Sequence, residues 1–145
     1  TVPGARETIA ALQVRGIRTA IVSGGLLDAV LPLAATVGVA AADTFAVRLQ
    51  YDADGNYQHY IESPLTTAAG KAAIIAAWKR QHGLKHIVMV GDGMSDVAAR
   101  APDAAERIIG YGGVVERAAV RAAADHYSTA ADLRDLLPLL TGAGA

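Results

Sequence analysis

Two aspartates spaced four residues apart, Asp92 and Asp96, are the side chains best suited to chemistry in this sequence. Asp92 follows the uncharged residues 87–91, whose length and β-branched content predict a buried parallel strand. Asp96 stands where a helix is expected to begin, so both carboxylates can point at one small volume. Open α/β sheets bind their ligands at the carboxyl ends of the strands, which is where Asp92 lies. Carboxylate oxygens favour a hard cation such as Mg²⁺. The spacing therefore predicts a Mg²⁺ site, unless the aspartates only shape a tight turn in which Asp96 stabilises the helix dipole.

A second candidate site is the run Ser23, Gly24 and Gly25. It follows a strand predicted over residues 17–22 and precedes a helix predicted over about residues 26–37. A serine hydroxyl, glycine-exposed N–H groups and a helix amino terminus together form an anion site suited to phosphate. Ser23 would equally serve as the cap of the helix. Both roles stay open, because a cap leaves neighbouring N–H groups free.

Lys71 lies in the first turn of a helix that is predicted to run to about residue 81. A cation there opposes the helix dipole, at a cost of about 0.3–1 kcal/mol. A lysine directed at a cluster of carboxylate and phosphate groups would recover more, on the order of 4 kcal/mol for a close pair at moderate dielectric constant. Lys71 is therefore a candidate site residue. The alternative is a solvated lysine on the surface.

Alternating strands and helices must position these residues. Further helices are predicted over residues 3–16, 115–124 and 131–140, further strands near residues 107–110 and 126–127, and a β-hairpin over residues 45–61 with Asp-Gly turn chemistry. The helix after Lys71 is expected to bury Ile74, Ile75 and Trp78. Polar or glycine-rich turns follow the strand ends at Ser23, Asp92 and Gly110, so these three loops are expected to meet at one edge of a parallel sheet.

The composition bounds the class of protein. A chain of 145 residues, 52% hydrophobic and 19% charged, fits one domain over residues 1–145 with a real core. The net charge of −1 and the lack of a basic run point away from nucleic acid and from a membrane as partners. Without cysteine, disulfides and thiolate catalysis are excluded. No signal peptide is recognised, so a cytoplasmic location is expected.

Three motifs in this order resemble the second, third and fourth motifs of the haloacid-dehalogenase (HAD) superfamily, with the phosphoserine phosphatases as its nearest branch. The motifs are residues 21–25, the pair Gly70-Lys71 and residues 91–96. The resemblance covers nearly the whole chain and implies an α/β fold, a three-layer Rossmann-like core with a mostly parallel sheet and a β-hairpin. It also implies a Mg²⁺-dependent phosphomonoester hydrolase that works through an aspartyl-phosphate, with phosphoserine as the expected substrate.

The resemblance gives roles to the candidate residues by motif. Ser23, the N–H of Gly24 and Ser95 would bind the substrate, a small phosphomonoester. Lys71 would bind it too, and would act in catalysis by offsetting charge between nucleophile and phosphate.

The same resemblance makes Asp92 a ligand of Mg²⁺, and it gives Asp96 a supporting place in the metal shell and a part in catalysis. One departure is serious. The first motif of the family, a D-x-D at the end of the central strand, is matched by no aspartate before Asp92 in such a context. The chain is therefore expected to be the carboxyl-terminal part of a longer phosphatase, with the central nucleophile strand and the substrate-recognising cap missing.

Without a nucleophile, the chain is expected to be inactive alone, and an amino-terminal segment or a partner chain would supply the strand. A gap is expected in the sheet between the strands over residues 17–22 and 87–90, where the nucleophile strand belongs. Smaller departures are Val47 and Val114, which replace asparagines typical of the phosphoserine phosphatases and affect the fine fit of the substrate.

Two other functions stay open. A receiver-like domain would use Asp92 as its phosphoacceptor, although receivers also need an acidic pair after their first strand, which the amino-terminal region does not offer. A non-catalytic phosphate-binding or regulatory module would explain the missing nucleophile. A dinucleotide-binding fold is disfavoured, since no G-x-G-x-x-G follows either main strand.

Overall fold

Six α-helices and seven strands lie within residues 1–142, the part of the chain that the computed structural model describes. The helices are α1 (Ala5–Val14), α2 (Leu27–Val37), α3 (Gly70–His82), α4 (Met94–Val97), α5 (Ala118–Ala123) and α6 (Leu137–Leu140). The strands are β1 (Ile21–Leu26), β2 (Thr44–Val47), β3 (Leu49–Tyr51), β4 (Tyr57–Tyr60), β5 (Val88–Gly91), β6 (Arg107–Tyr111) and β7 (His126–Ser128). Within residues 1–142, no helix is both long and apolar enough to cross a bilayer.

Most of the strand pairings are parallel. β1 pairs with β2, and β5, β6 and β7 form a second parallel sheet in that order. β3 and β4 form an antiparallel hairpin, in which Leu49 lies opposite Tyr60. The predicted α/β class, with mostly parallel pairing and a β-hairpin, is confirmed.

Strands β1 and β5 belong to separate sheets and do not pair with each other. Both nevertheless pack against the same core cluster, through Val22 and Met89. Each of the two strands therefore keeps one edge without a strand partner in the described residues. This is the arrangement that the expected gap requires.

The burial of β5 differs from the prediction. All four of its residues are half-buried, and only the preceding Ile87, 9% exposed, is buried as expected. In β6, by contrast, Ile108 and Ile109 are fully buried. A parallel strand is buried when other elements cover it on all sides. β6 lies between β5 and β7, whereas β5 has a neighbouring strand on one side only.

Helix α3 is fixed by a core cluster beneath it. Ile75 and Trp78 are buried there against Ile108, as predicted, whereas Ile74 is only half-buried. The Trp78 Nε1–H donates to Asp43 Oδ1 at 2.8 Å, so the indole is held by a polar bond as well as by packing. These contacts fix the axis of α3, and with it the position of Lys71 near its start.

Strand β1 begins and ends later than predicted. Ile17 donates its N–H to Leu12 O at 3.0 Å, so the chain is still closing the turn after α1 at this point. β1 then continues through residues 23–25 to Leu26, which pairs with β2 after a shift in register. The serine–glycine run therefore lies within the strand, and the prediction that it forms a turn after the strand is wrong.

Other boundaries differ because pairing partners divide the predicted elements. The first arm of the hairpin predicted over residues 45–61 is interrupted at Arg48, since β2 pairs with β1 while β3 pairs with β4. The helix predicted over residues 115–124 shortens to α5, and the one predicted over residues 131–140 is a 3₁₀ turn followed by α6.

Asp125 fixes the start of β7. Its Oδ1 accepts a hydrogen bond from Arg100 Nη1 at 2.9 Å, and its Oδ2 accepts one from the Ile108 N–H at 2.7 Å. The bond from Arg100 and the bond from Ile108 hold the pKa of the Asp125 carboxyl below its usual value, against the effect of burial. β7 is thereby attached to β6 at a defined register.

Candidate active site

The most buried ion pair in the described residues joins Lys71 to Asp96. Lys71 is the second residue of α3, and its Nζ donates to Asp96 Oδ1. The two side chains are 13% and 8% exposed. Lys71 is therefore directed at a carboxylate, as predicted, and the alternative of a solvated surface lysine is wrong. The carboxylate offsets the unfavourable interaction of the lysine with the helix dipole.

Asp96 is held by the backbone of its own loop as well. Its Oδ2 accepts the N–H of Gly93 at 3.0 Å, which satisfies a donor at the start of α4. A Cβ at Gly91 would lie 2.1 Å from Asp96 Cγ, so glycine at this position makes room for the carboxylate. Asp96 thus stabilises the first turn of its helix and binds Lys71 at the same time.

Asp92, the other predicted metal ligand, lies in a different environment. Its side chain is 55% exposed, and its Oδ2 accepts a hydrogen bond from Arg117 Nη1 at 2.6 Å. The same nitrogen donates to the main-chain O of Asp92 at 2.9 Å. The other carboxylate oxygen, Oδ1, has no hydrogen-bond partner within residues 1–142. Each of the two aspartates thus has a cationic partner of its own.

Arg117 is a site residue that the sequence patterns did not reveal. Its backbone N–H donates to the Tyr127 hydroxyl at 3.2 Å. Tyr127 occupies the space beside Gly110 and Gly112, where added Cβ atoms would lie 2.6 Å from its ring and 2.2 Å from its hydroxyl. These glycines, predicted to form a third ligand-binding turn, instead make room for Tyr127. Gly110 pairs with Tyr127 across β6 and β7, and the sequence offers no signal for this contact between distant residues.

Ser23 lies on β1, and its hydroxyl accepts the N–H of Gly25 at 3.0 Å. Helix α2 begins at Leu27 without a side-chain cap, so the capping role considered for Ser23 is wrong. Gly24 is exposed, with no atom within 4 Å of the place where a Cβ would be. The backbone of this stretch is therefore accessible to an anion.

The predicted site residues are only partly brought into contact. Among the described residues, no hydrogen bond joins Ser23 or Ser95 to Lys71 or to either aspartate. Ser95 lies half-buried in α4. Some of the elements that carry these residues are in contact, α3 with β1 and α4 with β5. Direct contact is made by Lys71 and Asp96.

A cavity of about 600 Å³ opens beside Gly24. Apolar and aromatic side chains form most of its lining: Leu26, Val47, Leu49, Tyr57, Tyr60 and Leu65, with Thr66. Val47, which departs from the family pattern, is 8% exposed and belongs to this lining, whereas Val114 is 73% exposed. The described residues around the cavity include no charged side chain, so the cavity alone does not explain recognition of a charged amino acid.

The donor set for Mg²⁺ fits only in part. No three or more His, Asp and Glu side chains within residues 1–142 are grouped to hold a metal ion. Mg²⁺ is commonly bound by one or two carboxylates, with waters and substrate phosphate completing its shell. Asp92 suits this mode because its Oδ1 is free. Asp96 differs from Asp92 in that each of its carboxylate oxygens already accepts one hydrogen bond, from Lys71 and from Gly93.

Comparison with known families supports the resemblance seen in the motifs. The family model of the haloacid dehalogenase-like hydrolases matches residues 1–101, which include the serine–glycine run, Lys71 and both aspartates. The chain belongs to this family. The HAD resemblance predicted from the sequence is confirmed.

Relatives within the HAD family include the phosphoserine phosphatases. The protein of that name from Bos taurus is 36% identical over 139 residues, which cover 95% of this chain and 60% of the relative. The one from Homo sapiens is 35% identical over 128 residues, covering 88% and 56%. A solved apo structure of a phosphoserine phosphatase matches with a TM-score of 0.79 at 29% identity, over 94% of this chain and 65% of that one. The chain thus spans less than two thirds of the length of these curated relatives.

Proposed function

We propose that the chain forms the phosphate-handling part of a Mg²⁺-dependent phosphomonoester hydrolase that acts through an aspartyl-phosphate, with phosphoserine as its substrate. The family and the names of the relatives support the reaction class and the substrate. The buried pair of Lys71 and Asp96 at the carboxyl end of β5 carries the proposal. It fixes a cation at the edge of the sheet where α/β folds bind anionic ligands.

Lys71 would supply positive charge next to the transferring phosphoryl group. An ammonium group has three donors. Within residues 1–142, Nζ of Lys71 donates only to Asp96, so further donors are available to phosphate oxygens. Because Asp96 is itself held by Gly93, the ammonium is oriented before the substrate arrives. Such preorganised charge is an effective way to stabilise a transition state.

Ser23 and Gly24 would bind other oxygens of the phosphoryl group. The Ser23 hydroxyl accepts a bond from Gly25, which leaves its own proton free to be donated. The Gly24 backbone is exposed and has no side chain to block a close approach. Ser95, in the first turn of α4, would add a hydroxyl from the opposite loop.

The nucleophilic aspartate would come from a strand outside this chain or from a partner chain, inserted between β1 and β5. An edge strand presents unpaired N–H and C=O groups that an extended segment can pair with. β1 and β5 each have such an edge, and both pack against one core cluster. The end of an inserted strand would lie between the Ser23 region and Asp92.

Asp92 would hold Mg²⁺ through its free carboxylate oxygen. Asp96 would stabilise the groups that surround the metal. Bound there, Mg²⁺ would offset the charge of the phosphoryl oxygens. The protein residues would place one open carboxylate, one oriented ammonium and an exposed backbone stretch around the same phosphate.

The test is release of phosphate from phosphoserine in the presence of Mg²⁺. It compares the 145-residue chain with the polypeptide that its complete gene encodes. We expect no turnover by the chain alone and turnover by a longer polypeptide that carries the nucleophile strand. Robust hydrolysis by the chain alone would contradict the hypothesis that it lacks the nucleophile. Inactivity of both proteins would contradict the proposed hydrolysis of phosphoserine.

A pair of variants of the active polypeptide tests the role of Lys71. Lys71→Met should lower kcat by about 10²–10³, the range seen when one donor to a developing oxyanion is removed. Lys85→Met is the matched control, because Lys85 is exposed and has no ion-pair partner within residues 1–142. It should retain full activity.

A further inference from the structure

The predicted magnesium ligand Asp92 is already paired with a positive charge. Arg117 directly precedes α5, and its Nη1 donates to both the carboxylate and the main-chain O of Asp92, at 2.6 and 2.9 Å. One guanidinium nitrogen thus binds two oxygens of the same residue. It fixes the carboxylate and also the backbone at the point where the chain leaves β5.

The backbone of Arg117 is held in this position by Tyr127. Its N–H is bound by the Tyr127 hydroxyl, and the ring of Tyr127 fits into the space beside Gly110 and Gly112. The guanidinium of Arg121 lies over the ring of Tyr127, 4.5 Å from its centre. Several residues of β6, β7 and α5 therefore act together to place one arginine against Asp92.

We propose that Arg117 is an internal counter-ion of Asp92 that competes with the divalent cation, so that a cation bound at the free Oδ1 of Asp92 drives the Arg117–Asp92 pair open. The inference rests on the proposed function, in which Asp92 is a metal ligand. A divalent cation on this carboxylate would lie beside the guanidinium, and the two positive charges repel each other. Asp96 is less accessible to a cation from solution, since it is 6% exposed and both of its oxygens already accept protein hydrogen bonds.

The exposure of the pair makes such an exchange feasible. The side chains of Arg117 and Asp92 are 48% and 55% exposed, and ion pairs of this kind contribute little net stability in water. A divalent cation can therefore displace the guanidinium without exposing buried charge. The pair of Lys71 and Asp96, at 13% and 8%, is too buried to exchange in this way.

Isothermal titration of the 145-residue chain with MgCl₂, at constant ionic strength and without phosphate, tests the competition. Arg117→Gln should bind Mg²⁺ about two- to fivefold more tightly than the unchanged chain, the gain expected from removing an exposed competitor. Arg80→Gln is the control, because it removes the same charge at an exposed position in α3 that does not contact Asp92. Its affinity for Mg²⁺ should equal that of the unchanged chain.

A second measurement uses the unchanged chain and so does not depend on the folding of a variant. In ¹⁵N spectra of arginine side chains, the signal of Arg117 should lose its protection from solvent exchange as Mg²⁺ saturates the site, whereas that of Arg100, bonded to Asp125, should not change. Equal or weaker Mg²⁺ binding by Arg117→Gln, binding by neither protein, or an Arg117 that stays protected at saturation would each overturn the proposal. A failure of phosphoserine hydrolysis would leave these binding results intact, so the two proposals fail separately.

Discussion

Asp92 and Asp96 lie four residues apart where the chain passes from β5 into α4, yet they occupy opposite environments. Asp96 is 6% exposed and bound to Lys71, whereas the Asp92 side chain is 55% exposed and bound to Arg117. Both partners come from 25 residues away along the chain. Equal residue types at regular spacing therefore do not have equal roles. The buried aspartate fixes a protein cation, and the exposed one can exchange its partner for a cation from solution.

The largest effect on stability is expected from Lys71→Met. It leaves the Asp96 carboxylate buried without its cation, and breaking a buried pair in this way costs about 3–5 kcal/mol in the free energy of unfolding. Urea unfolding of the 145-residue chain measures the loss. The double variant Lys71→Met, Asp96→Asn should recover part of it, because no charge then remains buried. A loss below about 1 kcal/mol in the single variant would contradict the burial of the pair.

A smaller loss is expected from Gly91→Ala. The new methyl group would lie 2.1 Å from Asp96 Cγ, so the carboxylate must move away from Lys71 or the strand must shift. Overpacking of this kind costs about 1–3 kcal/mol. Gly93→Ala is the control in the same loop, since the nearest atom would be 3.6 Å from its Cβ. Equal unfolding midpoints for the two variants would show that Gly91 does not position Asp96.

The smallest effect is expected from Asp92→Asn. The pair with Arg117 is exposed, so its loss should cost at most about 1 kcal/mol. Raising the salt concentration should remove this difference from the unchanged chain, because salt screens exposed charges. The loss caused by Lys71→Met should persist under the same conditions. A loss at Asp92 as large as that at Lys71 would mean that the two carboxylates are equivalent after all.

Features encoded by neighbouring residues could be predicted from the sequence. The hairpin could be predicted from an Asp-Gly turn between two segments whose residues favour strands. The buried residues of α3 could be predicted from their helical spacing. The contact of Lys71 with a carboxylate was also predicted, because a lysine in the first turn of a helix needs compensation. In each case, the physical cause acts within a few residues or breaks a local rule.

Features that depend on distant partners could not be predicted. Ser23 lies within β1 rather than after it, because pairing with β2 extends the strand. Residues of β5 are half-buried because a strand partner is missing on one side, which hydrophobicity does not reveal. Arg117 and Tyr127 reach the site through the register of β6 and β7. Spacing along the chain contains no information about these contacts.

The unpaired margins of β1 and β5 have a consequence for the behaviour of the chain in solution. Exposed rows of backbone donors and acceptors are templates for adding strands from other molecules, and natural proteins protect them with charge, proline or a covering element. Neither Ile21–Leu26 nor Val88–Gly91 contains a charged residue or a proline. Concentrated samples of the 145-residue chain should therefore self-associate, and its solubility should depend on whatever polypeptide comes to lie along those margins.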